Sequence, residues 1–260
     1  MKTPLPTRLL AMLAYYGRRL SHKLRPPALN SEEVSRRYYL LGQMLELQDY
    51  RSSFATDTIF KELQQDCYGL ERMTFAPDDV VIDIGGHVGF FSILLAKLHP
   101  EIQIYAFEPI PDNYQHFQAN IAHNHVTNIQ LENRAITTDG RDLTLWMHPH
   151  NTGGSTAANL LDTNASAQHR VYQVPSSTLD AVFMQHGIER CRLLKIDCEG
   201  SEHEILLNTS RLPQIDYLAG EFHINNKLTH QGYSIDRLVS HCQQFIPADH
   251  IVYTACQMAE

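Results

Sequence analysis

The chain has 260 residues, 43% hydrophobic and 19% charged, a balance that excludes collagen-like, disordered and membrane-spanning classes. Its formal charge of −8 argues against sequence-independent nucleic-acid binding, which needs a basic surface to displace counterions from phosphates. Five cysteines without a C-x-x-C pair suggest neither a zinc site nor a disulfide framework, but free thiols in a reducing compartment.

Residues 1–30 carry Lys2, Arg8, Arg18, Arg19, Lys23 and Arg25 and no acid. Leu9, Leu10, Leu13, Tyr16, Leu20 and Leu24 recur at helical spacing until Pro26-Pro27 stops the pattern. A basic amphipathic segment of this kind packs on the body of the protein or lies on an anionic membrane surface. Its apolar part is too short to span a bilayer. It also lacks a small-residue cleavage site before Arg18-Arg19, so it reads poorly as a signal peptide. The expected location is the cytoplasm, with or without peripheral membrane contact.

From Ser31 to about Tyr68 the pattern again looks helical. Ser31 and Glu33 followed by Val34, Tyr38, Leu41 and Leu45 predict a capped amphipathic helix, and Phe60 to Tyr68 a second. Residues 31–72 are therefore expected to form a helical extension covering the start of the main domain, 73–260, and contributing to a lid over the substrate.

Val80 to Ile84 is a β-branched run ending at Gly85-Gly86, the form of a buried parallel strand. A helix from Gly89 to Leu98, a strand from Ile102 to Phe107, a helix from Pro111 to Asn124 and a strand from Asn128 to Glu132 follow. Further strands are expected at Leu143–Met147, Val171–Val174, Arg192–Ile196 and Tyr217–Glu221. Strands and helices alternating over short links predict an α/β, doubly wound, mostly parallel sheet of Rossmann-like form.

The chemistry starts at the first loop. Gly85 and Gly86 allow a sharp exit from the strand, Gly89 brings the next helix close, and His87 sits between them. Glu108, 25 positions after Asp83, ends the second strand, where an acid accepts hydrogen bonds from both hydroxyls of an adenosine ribose. A pyrophosphate fingerprint reads G-x-G-x-x-G, whereas Asp83, Gly85 and Gly89 read D-x-G-x-x-x-G. That pattern resembles the first motif of class I methyltransferases and implies S-adenosylmethionine. Asn133, Arg134 and Ala135, after the third strand, stand where the adenine of such a cofactor lies.

Three further segments narrow the resemblance. Phe107-Glu108-Pro109, the string Leu194-Lys195-Ile196-Asp197-Cys198-Glu199-Gly200-Ser201-Glu202, and Gly220-Glu221-Phe222-His223 together resemble the FkbM methyltransferase family over residues 55–225. Gly86 and His87 replace the Ala and Asn common in the family's loop. The resemblance implies O-methylation of a hydroxyl on a sugar, glycolipid, polysaccharide or natural product. A nicotinamide-dependent oxidoreductase and a non-catalytic S-adenosylmethionine-binding protein are the alternative readings.

Methyl transfer to a weakly nucleophilic hydroxyl needs alignment and a group to take the proton. Ligands of open α/β sheets bind at the carboxyl ends of the strands, where Asp197, Glu199, Glu221 and His223 fall. Asp197 or His223 is the expected base, with Glu199, Glu202 and Glu221 orienting the acceptor. Asp197, Glu221 and His223 also offer ligands suited to Mg²⁺ or Mn²⁺, although no dedicated spacing motif supports a metal. Ser201-x-x-Glu204 fits a helix capping box, which makes Glu204 structural.

Overall fold

The computed structural model of the protein describes residues 32–148, 151–157 and 170–258. The basic segment 1–30 lies outside them. Among the described residues no helix is long and apolar enough to cross a membrane.

The chain opens with β1 (Glu33–Leu40) and β2 (Gln43–Tyr50), an antiparallel hairpin where a helix was expected. Tyr38, Leu41 and Leu45 fit a helical stripe, but Tyr38, Leu40, Leu45 and Leu47 also alternate, and it is these four that are buried. Leu41 (φ 48°) and Gly42 (φ 79°) form the two-residue turn, a pair of positive φ values that matches the twist of hairpin strands. Leu41 is left half exposed at the tip. The extension is helical in α1 (Ala55–Gln64), whose first backbone N–H is held by the Ser53 hydroxyl, and in a single 3-10 turn at Leu70–Arg72.

Then come β3 (Val80–Ile84), α2 (Phe90–Leu98), β4 (Gln103–Phe107), α3 (Pro111–His123) and β5 (Ile129–Glu132). After β5 the chain makes β6 (Ala135–Thr137), β7 (Leu143–His148), β8 (Asn151–Ala157), β9 (Arg170–Val174) and β10 (Ser176–Thr178). It continues through α4 (Leu179–Gln185), β11 (Cys191–Ile196), α5 (Glu202–Leu206), β12 (Ile215–Ile224), α6 (Asn226–His230), α7 (Ile235–Cys242) and β13 (Ile251–Gln257).

The main sheet has the order β13-β12-β11-β3-β4-β5, and every neighbouring pair is parallel. This is the doubly wound order of a Rossmann-like fold, whose switch point lies between β3 and β11. The strands expected near 143–147 and 171–174 do not join it. They belong to a separate antiparallel sheet, β8-β7-β9, while β6 and β10 pair alone.

Successive strand residues point to opposite faces, and the core divides accordingly. Ile82, Leu194 and Leu218 pack with α4, α5 and α7, whereas Val81, Leu193 and Ala219 pack with α2 and α3. Tyr38, Leu40, Leu45, Leu47 and Leu63 join the second cluster, so the hairpin and α1 share a core with the sheet.

Asn120 of α3 and Asn124, the residue that caps its C-terminus, hold the hairpin's free edge. Asn124 accepts from the Glu46 backbone N–H (3.1 Å) and donates to its carbonyl (2.7 Å). Asn120 does the same for Gln48 (2.7 and 3.1 Å) and also donates to the Val88 carbonyl beside the first loop.

Candidate active site

One cleft opens at the carboxyl ends of β3, β4, β11 and β12. Its wall takes Gly85, Gly86 and His87 from the loop after β3, Glu108 after β4, Asp197 and Glu199 after β11, and Glu221 from β12. At Gly85 (φ 81°) a Cβ would stand 1.9 Å from the Asp197 carbonyl oxygen, so only glycine lets the two strand ends approach. At Gly89 (φ 91°) a Cβ would enter the Phe117 ring at 2.2 Å; this residue sets α2 against α3 instead of lining the cleft.

Beneath the cleft lies a buried ion pair. Asp83 and Lys195 are opposite each other in the β3–β11 register, and Ala106 and Ala219 on the flanking strands leave them room. The Lys195 ammonium is 3.1 Å from Asp83 and donates to the Gly85 carbonyl at 2.8 Å, while Ser92 donates to the other Asp83 oxygen at 2.6 Å. Burial works against the lysine's charge, yet Asp83 and then Asp197 hold it above its ordinary pKa. Asp83 thus braces the loop from below rather than standing on the cleft wall.

Glu108 is held by three donors. The His87 N–H donates to Oε2 at 2.8 Å, and Oε1 takes the Ile110 N–H at 2.8 Å and the Asn113 carboxamide at 3.4 Å. Burial nevertheless pushes its pKa up to about 8, because those donors offset only part of the lost hydration. Asn133 donates to the carbonyls of Glu108 and Pro109 (2.9 and 3.0 Å), shaping this turn, while Arg134 and Ala135 line the cleft. His87 adopts φ 51° and is buried, which pushes its imidazole down to about 4 and keeps it neutral.

The far end of the cleft is acidic. Asp197, Glu199 and Glu221 are joined there by Glu62 of α1, which follows Thr58 and Ile59 on the same inward stripe. The sequence reading missed Glu62; its spacing of four from Thr58 was the available signal. Burial, then Glu221 and Asp197, push Glu62 up to about 8, and burial, then Asp197, push Glu221 up to about 7. Burial also raises Asp197, against the pull of Lys195 and His223.

His223 does not reach the cleft wall. Its Nδ1 lies 3.3 Å from Glu202, and its Nε2 lies 3.6 Å from Glu199 and 3.8 Å from Glu221. Burial disfavours its charge, but Glu199 and then Glu202 outweigh that and raise its pKa well above the usual value. A protonated imidazole cannot take the acceptor's proton, which weighs against the base role expected of His223. Among the described residues, ligand atoms of Asp197, Glu202 and His223 lie within 4.8 Å of one another, as do those of Glu221, His223 and Cys256, but Asp197, Glu221 and His223 do not form one such cluster. Glu202 is fully buried and accepts from the Cys198 and Gly200 N–H groups. The foreseen capping box is likewise absent: Ser201 makes no side-chain cap, and Glu204 instead takes Arg141 at 2.9 and 2.8 Å.

The description "Methyltransferase FkbM domain" matches residues 83–241, well over half the chain. The chain belongs to the FkbM methyltransferase family. Its relatives include Methyltransferase 1 of Beauveria bassiana, 28% identical over 163 residues, or 57% of this chain and 65% of that protein. The chain thus spans just under two thirds of that relative's length. The 31-O-demethyl-FK506 methyltransferase FkbM of Streptomyces tacrolimicus is 26% identical over 197 residues, 64% of this chain and 74% of that protein. Among solved structures, a precorrin-6y C5,15-methyltransferase of Geobacter metallireducens is similar over 60% of this chain and 58% of its own, with 16% identity and a TM-score of 0.34. The segment matched to the FkbM domain contains the Asp83–Lys195 pair, Glu108, Asp197 and Glu221, and leaves the hairpin and Glu62 outside it.

Proposed function

We propose that this FkbM methyltransferase binds S-adenosylmethionine across the β3–β4 loops and methylates a hydroxyl oxygen. The acceptor class is a sugar, glycolipid, polysaccharide or natural product. The observation that carries the reading is Glu108: a buried carboxyl at the end of β4, oriented by three donors beside a glycine loop at the switch point of a parallel sheet. Its remaining lone pairs suit the two hydroxyls of a ribose.

The residues of the cleft fit this cofactor. Glu108 would hold the ribose, Gly85 and Gly86 would admit close backbone approach, and Arg134 with Ala135 would flank the adenine. The cofactor supplies an electrophilic methyl group on a cationic sulfonium, a charge that the acidic end of the cleft favours. Asp197 takes the proton of the acceptor hydroxyl, while Glu62, Glu199 and Glu221 orient the acceptor. A carboxyl whose pKa is raised toward neutrality serves proton transfer better than an ordinary one. His223 holds Glu199 and Glu202 in place. Residues 1–30, with six cations and no acid, give the protein a means of contacting anionic lipid, which liposome sedimentation with and without that segment tests.

Calorimetry with S-adenosylmethionine, S-adenosylhomocysteine and NAD tests the main reading. Both adenosyl ligands should bind the wild type, and Glu108→Ala should weaken them at least about tenfold, the worth of the hydrogen bonds to the ribose hydroxyls. Binding of NAD alone would overturn the assignment.

A further inference from the structure

Both donors that fix the two Glu108 oxygens beyond its own turn are themselves held by one residue. Thr152, fully buried in β8, places its hydroxyl 2.7 Å from His87 Nε2, and its carbonyl accepts from the Asn113 carboxamide at 2.9 Å. His87 then donates its backbone N–H to Glu108 Oε2, and Asn113 donates to Oε1. On its other side the Thr152 hydroxyl meets Ser53 Oγ at 2.8 Å and Asp49 Oδ1 at 3.5 Å. Asp49 is the penultimate residue of β2, and Ser53 lies just before α1, whose first N–H it accepts.

We infer that Thr152 is a positioning residue for cofactor binding, acting on Glu108 through His87 and Asn113. Its place makes the antiparallel insert and the N-terminal extension part of the ribose site, although neither touches Glu108 directly. The neutral imidazole suits this relay: in the tautomer with its proton on Nε2 it donates to the Thr152 hydroxyl, which is then free to donate onward to Ser53 or Asp49.

The inference rests on Glu108 holding the ribose hydroxyls, so the experiment separates the two. S-adenosylhomocysteine and its analogue lacking both ribose hydroxyls are titrated by calorimetry into the full chain and its variants. Glu108→Ala should weaken the first ligand and leave the second nearly unchanged; equal loss for both would overturn the ribose reading and this inference with it. With that established, Thr152→Val, which keeps the shape and removes the hydroxyl, should cost the first ligand about tenfold and the analogue less than about twofold, and Thr152→Ser should restore the difference. Equal weakening of both ligands by Thr152→Val, no weakening of either, or failure of Thr152→Ser to rescue would overturn the role of Thr152 alone. Should Thr152→Val not fold, Ser53→Ala removes one partner of the same hydroxyl. It should cost S-adenosylhomocysteine about two- to threefold and the analogue nothing, and equal loss overturns the inference.

Discussion

Lys195 and Asp83 face each other 3.1 Å apart across two parallel strands, with side chains no more than 4% exposed. Charges this deeply buried are stable only as a pair, because each alone would have lost its hydration without compensation. They lie directly below the loop that carries Gly85, whose carbonyl the same ammonium binds.

Lys195→Met therefore leaves the buried Asp83 without its cation, with the Ser92 hydroxyl still donating to it, and should cost about 3–5 kcal/mol in urea unfolding. Adding Asp83→Asn, which removes the orphaned charge, should recover part of that loss. A single variant as stable as the wild type would show that the pair does not brace the loop.

Asp197→Asn should keep S-adenosylhomocysteine affinity within about threefold while turnover of an active acceptor falls about a hundredfold or more, the usual worth of a general base. Paired calorimetry and methyl-transfer assays read both quantities. Undiminished turnover would move the proton to another acid, with Glu62 next in line.

His223 should remain protonated well above pH 6.5 in the folded protein, since Glu199 and Glu202 hold its charge against burial. Histidine resonances followed by NMR against pH check this.

Stability should fall as pH rises from 6.5 to 8.5. Unfolded, Glu62, Glu108 and Glu221 lose their protons near 4.5, whereas folded they keep them to about 8, 8 and 7, so the folded state binds more protons across this window. His223 adds to the trend: its stabilisation is complete below 6.5 and is lost as pH climbs through its raised folded value. His87, depressed to about 4, and His203, also depressed, act in the opposite direction, but only below 6.5. Melting curves should show the decline, and Glu62→Gln should make it shallower.

What could be read from sequence follows the range over which the cause acts. The glycine loop, Glu108 and the parallel strands are local: a β-branched run, a turn that needs glycine and an acid at a strand end lie within 30 residues of one another. The spacing of Glu62 from Thr58 shows which face of α1 it shares but not its role, because Glu221 and Asp197 are more than 130 positions away and meet it only after folding. His223 looked like a base because imidazoles titrate near neutrality; its protonation depends on two acids converging from the loop after β11. The hairpin was misread because Tyr38, Leu41 and Leu45 satisfy a helical stripe. Leu41-Gly42 was the available turn signal, and Gly42 its stronger half.

The paired carboxamides of Asn120 and Asn124 have a consequence beyond holding the hairpin. A strand at the margin of a sheet ordinarily exposes N–H and C=O groups that template the addition of a foreign strand. At Glu46 and Gln48 those groups are already engaged, each by an amide that mimics a neighbouring backbone. The margin of β2 is thereby closed to a second copy of the chain at these positions, and α3 guards the protein against aggregation along that side.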